Sequence, residues 1–310
     1  MKRFFIVIVL TGLVALAIGI VLDIRYTKRW STLYFMKTDE LIRDSTFYDI
    51  IYLGNSRVHF GINPYYVDSV TGLSSYNFGV GGSDAQELMM IGNLYLQNHR
   101  PPKVVVMSVE LSTFAPFHSL KTRYPYLYYL NNDTVYKYMR QAYPSVVAAR
   151  LLPFFKYSFF DEYNRTSLFN SGKPYPISDH NIYRGFINIH QGENFRQEAV
   201  FNVQVTDSII ISADAKNNIE NIVLNFLKAG TKVIVISPPE KTNGSIQLSR
   251  VHRLRDSMVS VATHGKNVHH FDFRRSSIME NKYFTDDIHL SERGAKVFSI
   301  QLADSIKTIL

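Results

Sequence analysis

The chain has 310 residues, 46% hydrophobic and 19% charged, with a formal net charge of +8 and no cysteine. Such a composition supports one large domain, or a domain with a sizeable insertion, and excludes disorder. Without cysteine there are no disulfides, thiolate metal sites, cysteine nucleophile or lipidated N-terminal cysteine. The Lys and Arg residues are scattered, with no dense basic run and no nucleic-acid-binding signature, so the charge favours an acidic surface or polymer over nucleic acid.

Lys2 and Arg3 precede an uncharged apolar run from Phe4 to Leu22, which Asp23 and Arg25 close. At about 1.5 Å per residue this run approaches the roughly 30 Å of a bilayer core. A cleaved signal peptide is the alternative, because Ala15-Leu16-Ala17 offers a small-x-small site. The apolar run continues past that site, which favours an uncleaved single-pass anchor over residues 1–25. Lys2 and Arg3 argue for an inside N-terminus and Arg25, Lys28 and Arg29 nearly balance them. The short charged tail still favours an arrangement with the rest of the chain outside the cytoplasmic membrane.

Residues 26–47 read as a juxtamembrane connector, followed by a domain over 48–310. Asp49–Leu53 is predicted as a strand running into Gly54-Asn55-Ser56-Arg57, and a second short strand near Ser75–Phe78 ends in Gly79-Val80-Gly81-Gly82. Ser83–Gln97 reads as a helix with Ser83 as its N-cap. Pro101-Pro102 stops it, and Lys103–Val109 is a buried strand. Later, Asp214–Ala229 is helical with Gly230 as its stop, and Val233–Ile236 is an apolar strand closed by Pro238-Pro239. Ser245–His264 is a helix, Val268–Phe273 a strand and Ser291–Ile309 a final helix. This alternation predicts an α/β fold: a flavodoxin-like three-layer sandwich whose parallel central sheet is covered on both faces.

Between the halves, at about 114–205, the pattern breaks into an aromatic-rich insertion containing Tyr124-Pro125-Tyr126-Leu127-Tyr128-Tyr129, Phe154-Phe155 and Phe159-Phe160. It reads chiefly as a satellite core, and also as a lid or groove wall whose aromatic faces stack on sugars or meet the membrane interface.

In an open parallel sheet the loops at the carboxyl ends of the strands converge on one crevice. Gly54-Asn55-Ser56, Gly79–Gly82 and Glu110 all follow predicted strands, and Thr285-Asp286-Asp287-Ile288-His289 lies between the last strand and the last helix. A serine, a glycine turn and an Asp-x-x-His loop are therefore expected at one edge. His269-His270, His118 and His190 lack metal-ligand spacing. Gly79-Val80-Gly81-Gly82 fails as a dinucleotide loop because Asp84 stands at the third glycine position. No metal or cofactor is expected.

On these residues the chain resembles the SGNH/GDSL hydrolase superfamily. Gly54-Asn55-Ser56 sits at that family's nucleophile block, with Asn55 in place of the usual Asp. Asn77-Phe78-Gly79-Val80-Gly81-Gly82 matches its second block, and Asp286-Asp287-Ile288-His289 with Gly294 matches its closing block. The resemblance implies Ser56 as nucleophile, His289 as its base, Asp286 as the group that orients the imidazole, and the backbone N–H groups of Ser56 and Gly82 as oxyanion donors. The family's third donor, an Asn after the third strand, is missing, and Glu110 falls near its place. Asn55, Arg57, Asn77 and Glu110 are candidate substrate contacts, and Arg57 reads equally as half of a structural ion pair. The implied activity is ester hydrolysis or acyl transfer on an extracytoplasmic glycan or envelope polymer. A catalytically inactive module that binds polysaccharide, or a scaffold in an envelope complex, is the alternative.

Overall fold

The computed structural model describes residues 1–27, 33–43, 45–114, 124–152, 155, 182–188, 212–241, 246–274, 276, 278, 280–286 and 288–310. The chain divides into two compact units, Met1–Thr38 with Ser119–Ile177 and Asp39–His118 with Ser178–Leu310. Phe154, Phe159, Phe160, His118, His190, Ser245 and Asp287 lie outside the described residues.

The first unit opens with helix α1 (Lys2–Thr27). Its side chains from Phe4 to Leu16 include no buried residue, and the helix is long and apolar enough to cross a membrane. Helix α2 (Leu33–Ile42) begins in this unit, inside what the sequence reads as a connector. Phe35 meets Tyr128 edge to face, with ring centroids 5.4 Å apart, and lies 6.0 Å from Tyr129. Both tyrosines belong to a 3₁₀ stretch, Tyr124–Tyr129, and Tyr126 in turn meets Tyr138 of the amphipathic helix spanning Asp133–Ala142 at 5.9 Å. The aromatic segment thus packs its own rings. The 3₁₀ stretch buries Tyr126, Leu127 and Tyr129, and the helix buries Val135, Tyr138 and Met139.

The second unit is an α/β sandwich. Four strands alternate with helices and a fifth completes the sheet: β1 (Ile50–Leu53), β2 (Ser75–Asn77), β3 (Val104–Ser108), β6 (Lys232–Ser237) and β7 (Val268–Asp272). All pairings are parallel and the spatial order is β2-β1-β3-β6-β7. This is the 2-1-3-4-5 order of a flavodoxin-like sheet, and its switch point falls between β1 and β3. β1 and β3 are fully buried, which is why their sequences are continuous apolar runs without alternation.

One face of the sheet presents Ile50, Tyr52, Val104, Val106, Ile234 and Ile236 to Val67, Phe298, Leu302 and Ile306. Those residues come from two helices that pack on each other, Pro64–Thr71 and Glu292–Lys307. The alternate strand residues turn to the other face, where helices Ala85–Asn98 and Ala213–Lys228 pack together.

Caps set the helix starts. Asp84, not Ser83, caps the helix after the glycine turn: its carboxylate accepts from Glu87 N at 2.8 Å, and Ser83 is buried behind it. Asn63 caps Pro64–Thr71, with proline in the first turn where its missing N–H costs nothing. A small hairpin, β4 (Ile182–Tyr183) and β5 (Phe186–Ile187), guards the sheet edge at β2. Arg184 O accepts from Asn77 N at 2.9 Å, and Phe186 joins the core.

Candidate active site

β1 delivers Ser56 to the sheet's carboxyl edge at the switch point. The chain leaves β1 through Gly54, where an added Cβ would lie 2.4 Å from Val58 Cγ2 and 3.1 Å from Ser108 Cβ. Only glycine lets the following turn sit this close to the sheet. Asn55 then caps the short helix α3 (Ser56–His59), its Oδ1 accepting from Arg57 N at 3.0 Å. Ser56 is therefore the first helical residue, and its N–H belongs to the turn that no helix carbonyl reaches.

The loop before the last helix supplies the partner. His289 Nε2 lies 2.8 Å from Ser56 Oγ, and His289 Nδ1 lies 2.6 Å from Asp286 Oδ2. Asp286 Oδ1 accepts from the backbone N–H groups of Ile288 and His289 at 2.8 and 2.7 Å. Thr285 N donates to His289 O at 2.9 Å, and Phe284 and Leu290 form an antiparallel bridge, so the Asp-x-x-His segment is a closed turn. The Phe60 ring stands edge-on to the imidazole at 5.7 Å.

Burial pushes the Asp286 carboxyl upward, but the hydrogen bonds from His289 and from two backbone amides outweigh it. The group titrates below its ordinary value. It is thus a carboxylate near neutral pH, accepting from Nδ1 and leaving Nε2 as the acceptor that faces Ser56. The imidazole side chain keeps 11% of its accessibility, so the pair is reachable.

The glycine turn is stitched to the same place. Val80 N donates to Gly54 O at 2.9 Å, and Phe78 N to Tyr52 O at 3.0 Å. Asn77 Nδ2 donates to Val58 O at 2.8 Å and Ile62 O at 2.7 Å, while its Oδ1 accepts from Gly79 N at 2.9 Å. Gly82 follows with φ +69°, a left-handed conformation that glycine adopts without strain, and it is exposed.

Three residues expected from the sequence as substrate contacts are spent on the protein itself. Asn77 is fully buried and ties the second loop to the first. Arg57 and Glu110, 5% and 4% exposed, pair at 2.8 Å. Arg57 Nη2 also donates to Pro238 O and Pro239 O at 2.9 and 2.7 Å, and Glu110 is 3.2 Å from Arg255 Nε. Arg255 pairs with Glu240 in turn. Burial works against the charge of Arg255, but Glu110 and Glu240 hold its guanidinium above the ordinary value. Arg255, Glu240 and the two proline carbonyls have no sequence signal beyond a Pro-Pro that reads only as a strand stop.

No family model matches the chain, and no curated protein matches it. Among solved structures it is similar to an acetylxylan esterase from Geobacillus stearothermophilus, in a catalytic mutant form, at 10% identity with a TM-score of 0.44 over 84% of this chain and 95% of that one. It is also similar to a GDSL-like lipase from Bacteroides thetaiotaomicron, at 9% identity with a TM-score of 0.41 over 84% of this chain and 88% of that one.

The chemical capacity of the site rests on its side-chain geometry. A hydroxyl, an imidazole and a carboxylate stand in a relay within hydrogen-bond reach of one another. Among the described residues no group of three His, Cys, Asp or Glu side chains gathers as a metal site. His270 instead places Nε2 3.2 Å from Ser237 Oγ at the far strand pair.

Proposed function

We propose that this chain is a serine esterase or O-acyltransferase of the SGNH/GDSL type. Its substrate would be an ester, most simply an O-acetyl group, on a glycan or envelope polymer outside the cytoplasmic membrane. The 2.8 Å approach of His289 Nε2 to Ser56 Oγ, across 233 residues of sequence, carries this reading.

Ser56 Oγ attacks the ester carbonyl while His289 Nε2 takes its proton. The negative charge that develops on the carbonyl oxygen is met by backbone N–H groups of Ser56 and Gly82. Collapse expels the alcohol, which receives the proton from His289 and leaves Ser56 acylated. Water, or a sugar hydroxyl, then attacks the acyl-enzyme with His289 again as base. Asp286 remains ionised throughout and stabilises the imidazolium.

Helix α1 supports residues 1–25 as the membrane anchor, with 26–47 as connector and 48–310 as the catalytic domain carrying the insertion at about 114–205. Lys2 and Arg3 favour an inside N-terminus and hence an outside domain. The net charge of +8 suits an acidic polymer.

A second reading, a non-catalytic module that binds polysaccharide or an envelope partner, is favoured by Glu110, which stands paired with arginine near the place of the missing Asn donor. An assay separates the two. The full chain in detergent, given an O-acetylated polysaccharide, releases acetate or moves it to an acceptor sugar, and Ser56→Ala stops this without loss of protein. Polysaccharide binding that is unchanged by Ser56→Ala, with neither release nor transfer by the parent, replaces the enzyme with the module.

A further inference from the structure

The residue beside the candidate nucleophile carries a buried charge with no part in the relay described above. Arg57, Glu110, Arg255 and Glu240 form a four-membered group with two positive and two negative members, each of whose charged side chains is at most 12% exposed. Arg57 reaches from α3 to Glu110 beyond β3 at 2.8 Å, and to Pro238 O and Pro239 O beyond β6 at 2.9 and 2.7 Å. On the opposite flank, Asn77 at the end of β2 holds Val58 O and Ile62 O. The helix that carries Ser56 is therefore fastened from both neighbours of β1 in the sheet.

A helix of four residues has too few internal hydrogen bonds to fix its own direction. Burying four charges is an expensive way to hold it, since apolar replacements of such groups are often neutral or stabilising. What the guanidinium provides is geometry: a planar fork whose donors engage a carboxylate and two carbonyls at once, which neither a lysine nor an apolar side chain reproduces.

We infer that this network positions the nucleophile. Arg57, locked by Glu110 and, through Arg255, by Glu240, fixes the orientation of α3 so that Ser56 Oγ stays in line with His289. Glu110, near the place where an oxyanion donor is expected, serves instead as the anchor of the turn. The inference rests on Ser56 being the nucleophile, as proposed above. A misplacement of about 1 Å in such a constellation costs roughly 10²-fold in rate, and it acts on the chemical step, not on substrate binding.

The test is the double variant Arg57→Met/Glu110→Leu in the full chain. It removes one charge of each sign and leaves Arg255 paired with Glu240. Three readouts are taken: thermal melting, kcat and KM on an activated acetyl ester, and the ¹⁵N resonance of His289 Nε2 in histidine-labelled protein. The expected result is a melt close to the parent, kcat lowered about 100-fold with KM within about twofold, and a His289 resonance moved to its place in Ser56→Ala. A folded double variant with parental kcat and an unmoved resonance overturns the inference. If the double variant does not fold, Arg57→Lys, which keeps the charge and loses the fork, is read the same way, and a parental result there overturns it equally. If the parent turns over no ester, the esterase reading falls, and the His289 resonance alone decides whether the network positions Ser56.

Discussion

Asp286 grips His289 at two points, its Oδ2 2.6 Å from Nδ1 of the ring and its Oδ1 2.7 Å from the backbone nitrogen of the same residue. One carboxylate thus fixes both the tautomer and the direction of the imidazole. Asp286→Asn keeps the shape of the turn, but its amide presents a donor where Nδ1–H needs an acceptor. A loss of kcat of about 10⁴-fold is expected, out of proportion to the small loss of stability that accompanies it. Steady-state kinetics on an activated ester check this.

The same contact sets a pH dependence of stability. The Asp286 carboxyl is held below its ordinary value, so the unfolded chain takes up this proton first on acidification. Its contribution is complete above the unfolded value, roughly 3.9, and is lost as pH falls through the lower folded value. Urea unfolding of the parent and of Asp286→Asn between pH 6 and the acid limit checks the sign. The stability gap between them is expected to shrink on the acid side, and a gap that widens there contradicts it.

Gly54→Ala is expected to destabilise the protein by about 1–3 kcal/mol through overpacking, because the new methyl would lie 2.4 Å from Val58 Cγ2. The strain falls on the turn that carries Ser56, so the rate drops as well. Denaturant unfolding and initial rates on one preparation test both effects.

Asn77→Ala removes the amide that bonds Val58 O, Ile62 O and Gly79 N, although Val58 O keeps the N–H groups of Gly61 and Ile62. At roughly 1 kcal/mol for each buried group left unsatisfied, a loss of about 1–2 kcal/mol is expected. A chemical denaturation midpoint shifted by much less would mean that these groups find other partners.

The sheet and the relay were legible in the sequence for different reasons. β1, β3 and β6 are buried on both faces, so their composition announces them, and parallel topology then forces the loops after them to one edge. Ser56, Asp286 and His289 stand at the expected offsets from those elements. The helix Pro64–Thr71 is faint in the sequence because it shows the sheet only a narrow apolar stripe, although Asn63-Pro64 is a cap signal. The N-cap shifted from Ser83 to Asp84 because both residues are good caps and only the packing of the glycine turn chooses between them. The ion network was hidden because Arg57, Glu110, Glu240 and Arg255 come from four distant segments, and nothing local marks a charge as buried. The hairpin at Ile182–Ile187 lay inside a stretch whose aromatic content masks any period of two.

The central claim is that Ser56 is an activated nucleophile, and a fluorophosphonate probe tests it most directly. The probe is incubated with the full-length protein and the modified residue located by peptide mass spectrometry. Covalent addition at Ser56 is expected, abolished in Ser56→Ala and strongly slowed in His289→Ala. A folded parent protein that takes up no probe at Ser56, or reacts there equally fast without His289, contradicts the account.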